Sequence, residues 1–161
     1  MLFRSYGGAI LNATISLSAY ASIEPLSENK IIVEALDRNE IQTHSLSSSL
    51  PIDGTLDLLK GVYNRLVRQF KFSEKGFKLS TYVDAPAGSG LGTSSTLVVA
   101  ILGAFAEKYQ LPLGDYDIAH LAYDIERNDL QLAGGRQDQY AATFGGVNFM
   151  EFYDKIGRAH V

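Results

Sequence analysis

The segment PAGSGLGTSS, residues 86–95, gathers the residue types that bind a polyanion through the main chain. Gly88, Gly90 and Gly92 can adopt backbone angles closed to other residues, and they let the chain approach phosphate oxygens with no side chain between. Thr93, Ser94 and Ser95 follow, with hydroxyls able to cap a helix, bond phosphate or ligate a magnesium ion. Pro86, Ser89 and Leu91 complete the candidate loop. Upstream, residues 77–83 alternate Phe, Leu, Thr and Val against Lys, Ser and Tyr, which is a strand pattern. Downstream, residues 94–109 are too apolar all round for a surface helix and read as a buried one. A strand, a small-residue loop and a helix N-terminus bring unpaired N–H groups and the positive end of a helix dipole to one point, where an anion belongs.

Two well-known phosphate loops do not fit the spacing. The Walker pattern needs a lysine and then Ser or Thr after its last glycine, whereas Gly92 is followed by Thr93 and Ser94. The Rossmann fingerprint G-x-G-x-x-G needs a third glycine where Thr93 stands, and its acidic partner would be Glu107, inside the expected helix. A strand-to-helix connection with no ligand is the plain alternative. Three alternating glycines flanked by alcohols exceed what a tight turn requires.

Further along, Asp138 follows Gly134 and Gly135, which let the backbone turn sharply near a helix start. A carboxylate there can accept or orient a hydroxyl proton, or can simply complement the helix dipole. Arg136 can keep that carboxylate ionised and offset charge on a transferring group, or can form a surface pair. Glu126 lies eight residues after Ile118, at the margin of the face formed by Ile118, Leu121, Ala122 and Ile125. His44, His120 and His160 have no metal-ligand spacing and read as structural or surface residues. Asn12 can face a ligand or bond backbone at a strand end, and Tyr82 and Tyr140 can pack on a ring or fill core.

The elements that position these residues are strands followed by helices. Residues 9–23, 31–35 and 40–44 are expected as strands, and 45–54 as a loop. A helix follows with Leu56, Leu58, Leu59, Val62, Leu66, Val67 and Phe70 at helical spacing and Thr55 or Asp53 as its cap. Another helix begins at Asp115, and residues 144–152 are expected as a final strand. Without regular alternation the class is α+β. The chain of 161 residues is the size of one domain or one lobe, and it has 46% hydrophobic and 20% charged residues with a net charge of -4. That charge argues against a nucleic-acid groove, and no apolar run approaches the ~20 residues of a membrane span. The absence of cysteine removes disulfides, thiolate metal sites and a cysteine nucleophile, and leans toward a cytoplasmic location.

PAGSGLGTSS resembles the P-x-x-x-G-L-G-S-S motif of the GHMP kinases, with Thr93 where most members carry Ser. LAGGRQDQYAATFGG, residues 132–146, is similar to the segment in which sugar kinases of that family place an aspartate after a glycine, followed by Gln. With LAYDIERNDL and YGGAILNATI, the match looks closest to members acting on D-glycero-D-manno-heptose 7-phosphate.

The resemblance implies the two-layer, ribosomal-protein-S5-domain-2-like N-terminal lobe, ATP and Mg2+ as cofactors, and a sugar phosphate substrate. It also implies phosphorylation of the anomeric hydroxyl to a 1,7-bisphosphate. Galactose-, fucose- or mevalonate-type kinases, or a nucleotide-binding module without catalysis, are the alternatives. By the same carry-over residues 86–95 cradle phosphate, Ser94 and Glu126 hold magnesium, and Asp138 carries the chemistry with Arg136, a position where many relatives have Lys. The family's GGGSD-like substrate segment is expected before Met1 and a second lobe after the chain. Residues 1–154 are therefore expected to be an incomplete lobe that need not be active alone. Residues 155–161, KIGRAHV, translate a common sequencing adapter and are expected to be non-native.

Overall fold

The structure, a computed structural model, describes residues 8–71, 75–86 and 88–152. The tail at 155–161 and His160 lie outside the described residues. Six strands and four helices run in the order β1 (Gly8–Ala13), β2 (Ala19–Pro25), β3 (Lys30–Ala35), β4 (Glu40–Ser45), α1 (Asp57–Phe70), β5 (Phe77–Val83), α2 (Thr93–Tyr109), α3 (Asp115–Asp124), α4 (Gln137–Phe144) and β6 (Val147–Phe152). No helix among the described residues is long and apolar enough to cross a membrane.

One sheet has the order β2-β5-β3-β4, with β3 and β5 parallel and the other neighbours antiparallel. Period-two alternation gives it a dry face and a polar face. Ile31, Val33 and Ala35 lie opposite Phe77, Leu79 and Thr81, and all six are buried. On the other face Lys78 and Ser80 bind the Glu34 carboxylate at 2.7 and 3.0 Å, and these contacts hold its pKa below the usual carboxylate value. Helices therefore cover one side only, and α2 packs on both β2 and α1. The rings of Tyr63, Phe77 and Phe105 meet at centroid distances of 5.3 to 6.4 Å where α1, β5 and α2 converge.

The expected strand over 9–23 is in fact two strands in different sheets. β1 ends at Ala13 and pairs with β6, while β2 starts at Ala19 and pairs with β5. The break spans residues 14–18, and Thr14 holds Gly146 from both sides there through N–H···O and N–H···Oγ contacts of 2.9 Å. The apolar pattern runs through the break and hides it. At the other end Phe144 closes α4 rather than opening a strand, and the chain turns through Gly145 and Gly146, both with positive φ, into β6.

The caps also differ from expectation. Leu56, in a left-handed conformation with φ 54°, precedes α1, and neither Thr55 nor Asp53 caps it by side chain. The Asp57 carboxylate instead accepts the N–H groups of Asp53 and Gly54 at 3.1 and 2.9 Å. Asp53 then pairs with fully buried Lys60 at 2.5 Å. At α2 the N-cap is Gly92, also left-handed, with no side-chain cap bond from the hydroxyls that follow.

Two measurements check this packing. Phe105→Ala removes the ring at the centre of the helix–sheet contact and should cost about 3–5 kcal/mol in urea unfolding. The Lys60 ammonium, hydrogen-bonded to Asp53, is the main cause holding the Asp53 carboxyl below its ordinary value. A depressed carboxylate contributes stability above its unfolded pKa of about 4 and loses it as pH falls through the lower folded value. The gap in urea midpoint between the parent and Asp53→Asn should thus be full at neutral pH, shrink below about pH 4 and close in stronger acid.

Candidate active site

The loop between β5 and α2 places Gly88, Gly90 and Gly92 at φ 75, 72 and 74°. All three are left-handed, a conformation that costs any residue with a Cβ about 1–2 kcal/mol. Among the described residues, none of the N–H groups of residues 90–95 meets an acceptor, while Ser89 N–H turns back to the Pro86 carbonyl at 3.2 Å. These are the orphan donors of a helix N-terminus with the dipole of the seventeen-residue α2 behind them. Ser94 is exposed at this mouth, and Ser89 and Thr93 hydroxyls stand 3.5 Å apart on its rim.

Asp138, in the first turn of α4, leans directly on the loop. A Cβ built on Gly92 would lie 3.2 Å from both Cβ and Cγ of Asp138. The carboxylate is half-buried and, among the described residues, takes part in no ion pair. It borders a cavity of about 480 Å3 together with Gly90, Leu91, Gly92, Thr93, Asn12 and Thr14. This is the size of a small-ligand pocket. No lysine or arginine is among the described residues that line it. Positive potential there comes from amides and the α2 dipole, so a triphosphate would need a cation brought with it.

Arg136 is exposed, with its guanidinium over the Tyr123 ring, 4.7 Å from the centroid, and it is not among the described residues that line this cavity.

Glu126 is fully buried. It sits in a π-helical turn, Ile125–Asp129, that widens the end of α3, with Leu130 N–H reaching the Ile125 carbonyl at 2.9 Å. Such turns are frequent at functional sites. Ser94 Oγ donates to Oε1 at 3.2 Å, Ser95 Oγ donates to Oε2 at 2.8 Å, and the Gln139 amide also donates to Oε2. Arg127 Nη2 stands 3.9 Å from Oε2 while its other hydrogen bonds hold the carbonyls of Leu132 and Gly135.

The donor set fits a magnesium ion. Two oxygens in adjacent positions on an octahedral ion with bonds of about 2.1 Å stand about 3 Å apart, and Ser94 Oγ and Glu126 Oε1 are separated by 3.2 Å.

Other candidates fall elsewhere. His120 is exposed beside Asp124, and His44 has a buried Nε2 with no partner among the described residues. Tyr82 pairs with Tyr20 on the open face of β5 and β2. Tyr140 fills a second core with Ala119 and Met150, where burial raises its phenol pKa. Asn12 borders the cavity and accepts from Asn148 Nδ2 at 3.3 Å. Ser95, adjacent to exposed Ser94, is buried with its hydroxyl on Glu126, so only its main chain reaches the loop. Residue-type reasoning missed Gln139 and Arg127, although both sit beside an acidic candidate in sequence.

A four-stranded mixed sheet carries helices on one face, and a left-handed glycine loop opens onto a buried helix with acidic residues beside it. The chain belongs to the GHMP kinases, whose N-terminal domain model matches residues 57–146. It is 53% identical over 149 residues to the D-glycero-alpha-D-manno-heptose 7-phosphate kinase of Campylobacter jejuni, covering 92% of this chain and 44% of that protein. A crystal structure of a D-glycero-D-manno-heptose 1-phosphate kinase from Bacteroides thetaiotaomicron superposes with a TM-score of 0.92 at 54% identity, over 98% of this chain and 51% of that one. Lactococcus lactis galactokinase complexed with galactose shares the fold at a TM-score of 0.81 and 20% identity, over 98% of this chain and 42% of that one. The chain thus spans about half the length of the relatives it matches.

Gly92 bears two demands at once, a left-handed backbone and the approach of Asp138. Gly92→Ala should lower stability by more than the about 1–2 kcal/mol of the backbone part alone, read by urea unfolding, and should weaken nucleotide binding measured by calorimetry. Gly88→Ala, where a Cβ meets nothing within 4 Å, should cost only the backbone part.

Proposed function

We propose that the protein is an ATP-dependent sugar kinase that phosphorylates the anomeric hydroxyl of D-glycero-D-manno-heptose 7-phosphate to the 1,7-bisphosphate. The observation that carries this reading is the contact of Asp138 with Gly92, which sets a carboxylate beside the free amides at the mouth of α2. Family membership supports phosphoryl transfer from ATP. The two relatives above 50% identity support a heptose phosphate as acceptor, and since their names differ in the carbon that bears the phosphate, the reading follows the 7-phosphate. A cytoplasmic location, where ATP and sugar phosphates occur, belongs to the same reading.

In the transfer the anomeric hydroxyl gives its proton to Asp138 while its oxygen bonds to the γ-phosphorus. The bond from that phosphorus to the β–γ bridging oxygen breaks, and ADP departs. The amides of residues 90–95 receive the phosphate oxygens, and the α2 dipole offsets their charge, since no cationic side chain is among the described residues that line the cavity. Ser94 and Glu126 would hold magnesium, which when bound neutralises charge on the phosphates. Arg136 enters only as a positive charge near the start of α4, since its guanidinium is committed to Tyr123.

The test is Asp138→Asn in the complete gene product, with products resolved by phosphorus NMR. Turnover of heptose 7-phosphate should fall about 100- to 10,000-fold, with ATP affinity by calorimetry within about threefold of the parent. Unchanged turnover would remove Asp138 from its role. Preference of the parent protein for heptose 1-phosphate, galactose, fucose or mevalonate would reassign the acceptor, and ATP binding without any turnover would leave a nucleotide-binding module.

A further inference from the structure

Gln139 is fully buried on α4, next to Asp138, and its side chain crosses to two other elements. Its Nε2 donates to Ser95 Oγ at 3.0 Å, on the first turn of α2, and to Glu126 Oε2, on the π-helical turn. Only the N–H end of the amide can face a carboxylate oxygen and a hydroxyl already donating to it, so the amide's orientation is set by chemistry. The price of that orientation is visible at the other end, where Gln139 Oε1 is buried without a partner among the described residues. An unsatisfied buried acceptor is unfavourable, so the amide is held in place by the two groups that its N–H end meets.

The consequence lies in how Glu126 is divided. Oε2 receives Ser95 and Gln139 and has the Arg127 guanidinium 3.9 Å away, whereas Oε1 receives only Ser94. One oxygen is held from the core side, and the other, buried too, meets the exposed serine at the loop mouth. A carboxylate pinned in this way offers a cation a single oxygen. Magnesium, which demands near-octahedral geometry and usually takes one or two carboxylates through one oxygen each, is served by such a ligand. Calcium accepts a carboxylate through both oxygens and tolerates six to eight ligands.

We propose that Gln139 is a positioning residue that holds Glu126 as a one-oxygen ligand and thereby sets the preference of this site for magnesium over calcium. The inference rests on the reading of Ser94 and Glu126 as the metal-holding pair. Because Gln139 neighbours Asp138 in the same helical turn, the tie also fixes the carboxylate that meets the acceptor relative to the one that meets the metal.

The experiment is binding of ADP to the complete gene product by calorimetry with magnesium, with calcium and with chelator, for the parent and for Gln139→Met, which keeps length and bulk but has no N–H. Gln139→Asn, whose amide is too short to reach Glu126, serves as the second variant if the first fails to fold. With magnesium, ADP affinity should fall about 10- to 100-fold. With calcium it should fall no more than about threefold, and with chelator it should stay within about twofold of the parent. Thermal unfolding is followed in parallel. Equal losses with both metals and with chelator, or a lowered melting temperature with metal preference intact, would reduce Gln139 to a packing residue. The metal-pair reading itself is judged separately on the parent protein, because ADP binding there that is indifferent to divalent ions would overturn that reading and this inference together.

Discussion

A carboxylate removed from water has to be compensated, and the compensation of Glu126 organises the site. Its nearest cationic group stands 3.9 Å away, and the contacts that satisfy it come from neutral donors on α2 and α4. Taking an ion out of water costs several kcal/mol even after relaxation, so three chain segments far apart in sequence must arrive together for the fold to be stable. That requirement keeps the glycine loop, the π-helical turn and the start of α4 in fixed relation. The hydroxyls of Ser94 and Ser95 illustrate the division of labour, since one faces the loop and the other the core, although they are neighbours of the same chemistry.

The second constraint is backbone geometry at the mouth of α2. Left-handed glycines turn successive amides outward before the helix begins, and the helix dipole adds its field to theirs. With no cationic side chain among the described cavity residues, attraction for an anion is a property of the main chain. Such a design is insensitive to the side chains at residues 89 and 91 but intolerant of a Cβ at 92, where Asp138 closes in.

The third is mechanical support from the second, smaller core. Tyr140, Met150 and Ala119 join α4, β6 and α3, and Tyr116 packs tilted against Phe144 at 4.7 Å between centroids. This cluster anchors the short helix that carries Asp138 and Gln139, and it does so against the two-stranded β1–β6 ladder that also brings Asn12 to the cavity. Arg65 adds a tie from α1 to the end of α3 through Asp124 at 3.3 Å and to the π-helical turn through Asp129 at 2.7 Å.

Much of this architecture was legible in residue order. Enrichment in Ile, Val and Ala specified β3, period-two alternation specified β5, the long apolar run specified α2 as a buried helix, and alternating glycines specified a left-handed loop, because each of these depends on neighbours within a few residues. The break of residues 14–18 was not legible, since its apolar pattern is continuous and the partner strands that separate β1 from β2 are more than fifty residues away in sequence. Nor was the full burial of Glu126, which follows from a π-helical turn that no local propensity announces, or the aim of Arg136, decided by the ring of Tyr123. The sequence by itself determined which groups could receive an anion and where the helix behind them begins. Only the tertiary structure decided which of two adjacent serines lies exposed at the loop mouth and which carboxylate oxygen each of them meets, because those choices depend on hydrogen-bond partners delivered by other elements.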